Sequence, residues 1–174
     1  MYCSSRVSIS ALFFLALRGL TSPSSCNSIC VALKQTLTRE IVKLIEAGYT
    51  DFLSGMAEGA DTWAAMVVLA LKKENPALKL HCVLPCEGQA DGWSASAREL
   101  YHSILEQADE VVYVNREYSK GCMLERNRYL VDHAACLLAV YNGEWRGGTA
   151  MTVRYARKLN RTVHIIDPVS CAVM

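Results

Sequence analysis

Short apolar runs alternate with longer segments of helical periodicity along most of the chain. The apolar runs predict strands at 51–54, 79–84, 110–114, 135–141 and 162–166, and the run at 135–141 is typical of a strand buried on both faces. Between the strands, apolar residues recur with the spacing of one helical face, which predicts helices at about 33–47, 62–74, 96–108, 122–133 and 149–159. The third helix starts near a capping-box pattern, Ser96-x-x-Glu99.

This alternation predicts the fold class. Strands that alternate with helices of roughly 10–15 residues indicate βαβ units, so we expect an α/β fold with a doubly wound, mostly parallel sheet and helices on both faces. Right-handed crossovers then place four loops, 55–61, 85–95, 115–121 and 142–148, at the carboxyl ends of the strands. Because ligands of open α/β sheets bind along that edge, we expect the site there.

The first of these loops carries Gly55, Met56, Glu58, Gly59 and Asp61. Its glycines can adopt positive φ or let a ligand approach the backbone, and Asp61 is suited to N-capping the following helix. First-turn N–H groups have no intrahelical partner and the helix dipole is positive there, so such a junction favours anions. The alternative is an ordinary turn with Asp61 as a plain cap.

The loop at 142–148 repeats this design, with Gly143, Gly147 and Gly148 before a helix and Thr149 at the expected cap. Two glycine-rich junctions at one sheet edge favour a cradle for an anion or nucleotide over two plain turns.

Side chains of the remaining loops are suited to the rest of a nucleotide. Glu87 and Gln89 can hydrogen-bond a ribose or base edge, and Trp93 can stack on a base, although a lone tryptophan more often covers an apolar patch. Arg126 and its neighbour Arg128 can hold phosphate through charge-assisted forks, or they can simply solvate a helix face.

Composition narrows the function classes. The chain has 174 residues, 52% hydrophobic and 20% charged, which is typical of one globular domain. Its 18 Lys and Arg against 17 Asp and Glu leave a formal net charge of +1. No overall basic field favours nucleic acid or an acidic membrane, so we expect neither as a partner, with a local patch left open.

Eight cysteines occur without a CxxC pair, and the four histidines show no metal-ligand spacing, so we expect no metal. Cys82 and Cys136 lie within apolar runs, where a free thiol behaves as a small hydrophobe. These features predict a reduced, cytoplasmic protein. Cys122, beside a predicted helix start, is interpreted as structural, with a nucleophile as the alternative.

The N-terminus fits this scheme less well. Arg6 and the apolar run at 7–17 are similar to a signal peptide, but the run is shorter than the about 20 apolar residues that cross a bilayer. We interpret 1–30 as an atypical segment, either a leader or a degenerate first strand, 31–168 as the α/β domain, and 169–174 as a short tail.

Five ordered motifs carry a family resemblance. They are GMAEGADTWAA at 55–65, PxExQxxxW at 85–93, ADEVVYV at 108–114, GCMLERNRYLVDH at 121–133 and AVYNGEWRGGTAMTVRYA at 139–156. Together they resemble the YpsA-like branch of the SLOG superfamily, a Rossmann-like group that includes the Lonely Guy phosphoribohydrolases and the single-stranded DNA-binding protein DprA. The resemblance implies a nucleotide-derived ligand, with Gly55, Gly59 and Asp61 on one side of the pocket and the loop at 147–149 on the phosphate side.

Two features depart from the family pattern. Relatives begin with a strand and a Gly-His-Arg-Pro-like loop, which residues 1–30 do not show. Phosphoribohydrolases carry Gly-Gly-x-Gly-Thr-x-x-Glu, whereas Thr149 is followed three residues later by Thr152. Because an N-glycosidase needs an acid or base at the leaving group, hydrolysis would have to recruit Glu58, Asp61 or Glu87.

We therefore predict a sensor or regulator that binds a nucleotide, ADP-ribose or an NAD-like ligand at the sheet edge. The alternatives are a nucleoside-monophosphate N-glycosidase and DprA-like binding of single-stranded DNA. A homodimer is expected by analogy with relatives.

Overall fold

The computed structural model describes residues 8–13 and 23–174 of the chain. Six strands alternate there with five helices. Their bounds are β1 Ser8–Phe13, α1 Pro23–Glu46, β2 Asp51–Ser54, α2 Ala60–Lys72, β3 Lys79–Leu84, α3 Ala95–Gln107, β4 Glu110–Tyr113, α4 Cys122–Asp132, β5 Cys136–Val140, α5 Gly148–Lys158 and β6 Thr162–Ile166. The strands predicted from apolar runs, β2 to β6, are confirmed to within one residue at each end.

The six strands form one parallel sheet in the order β4-β3-β2-β1-β5-β6. From β1 the chain winds outward to β4 and then returns to β5 on the other side of β1. This reversal makes the sheet doubly wound, as predicted, and puts its switch point between β1 and β5. Ligands of open α/β sheets bind next to such a point, outside the carboxyl ends of the strands.

Helices cover both faces of the sheet because successive strand side chains point in opposite directions. In β5, Leu138 packs into the core formed with α1, α2 and α3, whereas Leu137 packs into the second core with α4 and α5. All five residues of β5 are buried, which confirms the expectation for a continuous apolar run.

The centre of the sheet is β1, which lies within the atypical segment 1–30. Ser10 of β1 is in register with Leu53 of β2 on one side and with Leu137 of β5 on the other. The rest of the leader interpretation, at 1–7 and 14–22, lies outside the described residues. No helix of the described ranges is long and apolar enough to cross a membrane.

The last residues turn back along β6. The backbone N–H groups of Ile165 and Met174 each donate to the other residue's carbonyl, at 3.0 and 2.8 Å. The C-terminal segment thus flanks the outer strand of the sheet.

Three predictions of helix caps are wrong. α2 is capped by Gly59 and α5 by Gly147, not by Asp61 and Thr149, and neither glycine cap has a side-chain bond. Both cap positions have strongly positive φ, 106° and 107°, a conformation that L side chains rarely adopt. In α3 the cap is Ser94, whose hydroxyl accepts from the Ala97 N–H at 3.3 Å, so the capping-box position Ser96 lies inside the helix.

Candidate functional site

The two glycine-rich loops lie on either side of β1 at the carboxyl edge of the sheet. The loop 55–59 follows β2, the loop 141–147 follows β5, and β1 pairs with both strands. Neighbouring strands are about 4.8 Å apart, so the strand ends that carry the loops are separated by about 10 Å. A ligand that lies across β1 can therefore touch both loops.

Arg126 supports the first loop from below. Its side chain is 1% exposed, and its Nη1 donates to the Gly55 carbonyl while its Nε donates to Asn127 Oδ1 at 2.9 Å. Burial lowers the pKa of the Arg126 guanidinium, and the nearby Asp61 carboxylate opposes this effect. Despite the lower pKa, the guanidinium stays charged, because arginine is not deprotonated in proteins. The structure thus places Arg126 beneath the loop and leaves Arg128 exposed.

Asp61 joins the loop to the start of α2. Its side chain is 2% exposed, and Oδ2 accepts from the Ala57 N–H at 3.1 Å. A Cβ atom on Gly55 would lie 2.8 Å from Arg126 Cζ and 2.9 Å from Asp61 Oδ2. Gly55 is therefore required by the close approach of two charged groups to its backbone.

Gln89 ties the loop after β3 to the first glycine loop. Its Nε2 donates to the carbonyls of Met56 at 2.8 Å and Gly55 at 3.3 Å. Carbonyls only accept, so this contact fixes the orientation of the amide. The opposite atom, Oε1, is buried with no hydrogen-bond partner among the described residues. An orphaned buried acceptor of this kind is normally satisfied by a donor from water or a ligand.

The other predicted residues of these loops differ in their exposure. Met56 is fully buried at a positive φ of 55°, whereas Glu58 and Glu87 are exposed. Trp93 packs edge-to-face on Tyr101, with ring centroids 5.3 Å apart. This contact corresponds to the alternative in which Trp93 covers an apolar surface.

The second glycine loop is exposed and is held mainly by short-range bonds. The Tyr141 hydroxyl donates to the Glu144 carbonyl, and Asn142 exchanges hydrogen bonds with Glu144 at 2.9 and 3.2 Å. Gly143 and Gly147 both have positive φ, and Thr149 is buried. The first turn of α5 contains no acidic residue, whereas the first turn of α2 contains Asp61.

The cysteines of this edge are buried. Cys122 is 1% and Cys86 2% exposed. Burial, followed by the neighbouring Cys122, raises the pKa of the Cys86 thiol. Such burial agrees with the structural interpretation of Cys122. The described residues hold no group of three His, Cys, Asp or Glu side chains that could bind a metal ion.

Sequence reasoning missed several residues of this edge. The Ser54 hydroxyl accepts from the Met56 N–H at 3.1 Å, and Asn127 holds Arg126. Arg154 lies 4.7 Å from the ring centroid of the exposed Trp145. The sequence did contain an indication of this last pair. Five Lys and Arg residues but only one Glu lie between Tyr141 and Arg161.

A parallel, doubly wound sheet with glycine-capped helices on both sides of its central strand defines a Rossmann-like α/β protein. The model of the YpsA family, described as the YspA SLOG family, matches residues 25–170. The chain belongs to this family, which confirms the resemblance noted in its motifs.

Two bacterial relatives illustrate the family. A UPF0398 protein of Bacillus pumilus is 35% identical over 126 residues, which cover 71% of this chain and 68% of that protein. The SPbeta prophage-derived protein YoqJ of Bacillus subtilis is 34% identical over 146 residues, which cover 76% of this chain and 84% of YoqJ.

Two solved structures share the fold. DNA processing protein A (DprA) of Streptococcus pneumoniae matches 95% of this chain with a TM-score of 0.53 at 17% identity, and the chain spans about half, 54%, of that protein. DprA of Helicobacter pylori matches 92% with a TM-score of 0.54 at 14% identity, and 66% of that protein is covered.

The expectation that nucleic acid is not a partner is contradicted by these neighbours. The Helicobacter pylori structure is described as showing a single-stranded DNA binding mode of that protein. Our expectation rested on the net charge of +1, but a net charge is summed over the whole chain, whereas binding depends on the local field. The excess of cations between Tyr141 and Arg161 shows how far the local charge can differ from the net charge of the chain.

Proposed function

We propose that this protein binds a nucleotide or nucleotide-derived ligand, such as ADP-ribose or an NAD-like molecule, across β1, and acts as a cytoplasmic sensor or regulator. The observation that carries this proposal is the different charge of the two helix N-termini. Asp61 places a carboxylate in the first turn of α2, but α5 has no acidic residue there and is preceded by Arg146. The phosphate therefore binds at α5.

The sugar and base lie toward the first loop in this arrangement. Exposed Glu58 and Glu87 offer carboxylates to ribose hydroxyls, and the unpaired Oε1 of Gln89 accepts a hydrogen bond from the ligand or from a bridging water. Gly55, Met56 and Asp61 keep the loop backbone in place, supported by Arg126.

Titration calorimetry with mononucleotides, ADP-ribose and NAD tests the proposal. The decisive variant is Gly148→Asp, which puts a carboxylate at the start of α5, where it repels a phosphate but does not oppose the helix dipole. We expect at least tenfold weaker binding, about 1.4 kcal/mol. Ser96→Asp makes the same charge change in the exposed first turn of α3 and is the control. Absence of binding by the folded wild-type protein contradicts the proposal.

The hydrolytic alternative has less support. Thr152 is buried, and its hydroxyl donates to the Gly148 carbonyl within α5 at 2.9 Å, so no acid or base stands at that position. Of the three replacements, Asp61 is buried, and Glu58 and Glu87 are exposed. Incubation with nucleotides followed by chromatography for free base separates an N-glycosidase from a binder, because a binder releases none.

Single-stranded DNA is the second candidate ligand. The DprA fold brings it into consideration, and the cationic excess between Tyr141 and Arg161 favours it. A mobility-shift assay with single-stranded DNA tests this candidate, and an unshifted probe at low salt removes it.

A further inference from the structure

A separate cavity of about 420 Å³ lies beside the second glycine loop, between that loop, α5 and β6. Its apolar floor is formed by Val153 of α5 and by Val163 and Ile165 of β6. The rest of its wall combines the aromatic and cationic side chains of Tyr141, Trp145, Arg154 and Arg157 with Gly143, Ala150 and Met174. Because β6 is the edge strand beyond β5, this cavity is on the side of the loop away from β1.

Trp145 is the most conspicuous part of this cavity. It is 78% exposed, an unfavourable situation for a large aromatic ring. Its position is nevertheless fixed, because Arg154 stacks at 4.7 Å from the ring centroid and donates to the Trp145 carbonyl at 3.3 Å. An aromatic ring held in place in this way is ready to stack with a planar ligand.

The charge around the cavity defines the second part of the ligand. Arg146, Arg154, Arg157 and Lys158 are all exposed, and the single acidic residue of the segment, Glu144, is engaged by Asn142 at 2.9 Å. The cations extend from the loop to the last turn of α5, a distance of about 15 Å along the helix. This row is longer than one phosphate group requires.

We propose that this cavity is a binding site for single-stranded nucleic acid, in which one base stacks on Trp145 above the apolar floor and the adjoining phosphates contact Arg154 and Arg157. The inference rests on the second candidate function and is independent of the ligand that lies across β1. An acidic peptide would satisfy the cations but would leave the exposed indole face without a planar partner.

Fluorescence anisotropy of a short labelled oligothymidylate measures the affinity. We expect Trp145→Ala to weaken binding about tenfold, because one base loses its stacking partner. Tyr118→Ala removes another ring of similar exposure, 76%, and is the matched control with unchanged affinity. Arg157→Ala is expected to reduce the slope of log K against log salt by about 0.7, whereas Lys73→Ala, at an exposed position near the end of α2, leaves it unchanged.

The outcomes separate the inference from the function on which it rests. If the wild-type protein does not bind the oligonucleotide, both are overturned. If it binds, but Trp145→Ala and Arg157→Ala behave as their controls do, DNA binding stands and this site is wrong. If thymidine monophosphate competes as strongly as the oligonucleotide, the cavity holds one nucleotide only, and a strand-binding site is excluded.

Discussion

The loop after β2 begins with two buried residues, Gly55 and Met56, and is tied to two other parts of the chain, whereas the loop after β5 is exposed and bonded mainly to itself. Arg126 of α4 and Gln89 of the β3–α3 loop both donate to the Gly55 carbonyl. In the second loop, Asn142 and Tyr141 bond to Glu144, two or three residues away. The same order of strand, glycines and helix therefore supports two different structures.

This difference teaches that a repeated pattern need not have a repeated role. The polar groups of the first loop form hydrogen bonds within the protein, and the loop forms a fixed wall of the site. The second loop exposes its backbone, its cations and Trp145 to solvent. We therefore expect anionic ligands at two sites beside it, one across β1 and one in the cavity next to β6. Paired substitutions, each comparing a residue that forms or contacts the first loop with one that forms or contacts the second, test the contrast.

The largest difference is expected between two arginines. Arg126→Met removes a buried charge that holds the Gly55 carbonyl and lies near Asp61, and we expect a loss of about 4 kcal/mol in the free energy of unfolding. Arg154→Met, at an exposed position beside Trp145, is expected to change it by less than about 0.5 kcal/mol. Urea denaturation measures both.

Adding Asp61→Asn sharpens this test. If the charges of Arg126 and Asp61 compensate each other, the double variant is more stable than the sum of the two single losses predicts. Equal losses from Arg126→Met and Arg154→Met would contradict the contrast between the loops.

The second pair compares glycines. Gly55→Ala places a methyl group 2.8 Å from Arg126 Cζ, and we expect a loss of about 3 kcal/mol from overpacking. Gly147→Ala meets no atom within 4 Å and suffers only from the positive φ of 107°, so a loss of about 1 kcal/mol is expected. Thermal or urea unfolding distinguishes the two, and the reverse order would show that the first loop is not tightly packed.

The smallest difference concerns the amides. Gln89→Leu removes the hydrogen bond to the Met56 carbonyl and is expected to lower the free energy of unfolding by about 1 kcal/mol. Asn142→Leu removes exposed bonds that water can replace, with an expected change of less than about 0.5 kcal/mol. An unchanged stability of Gln89→Leu would mean that the β3–α3 loop does not hold the first glycine loop.

Local patterns were sufficient for much of the fold. The apolar runs of β2 to β6 and the periodicity of the helices depend on neighbours a few residues away, so their positions were predictable. Helix starts were less predictable, because the cap at Gly59 or Gly147 depends on the φ that the preceding loop imposes. The start of α1 was missed by ten residues, since residues 23–32 have no regular apolar spacing.

By itself, then, the sequence determined the order of strands and helices from α1 to β6, the parallel sheet and the edge at which the glycine loops meet, but left the central strand β1 undecided. Only the tertiary structure decided what each loop does there. Arg126 and Gly55 are 71 residues apart, and Gln89 and Met56 are 33 apart. Whether an arginine is buried beneath a loop or exposed on a helix depends on the packing of distant elements, which no local pattern records. The same packing fixes the first glycine loop as a wall of the site and leaves the second exposed.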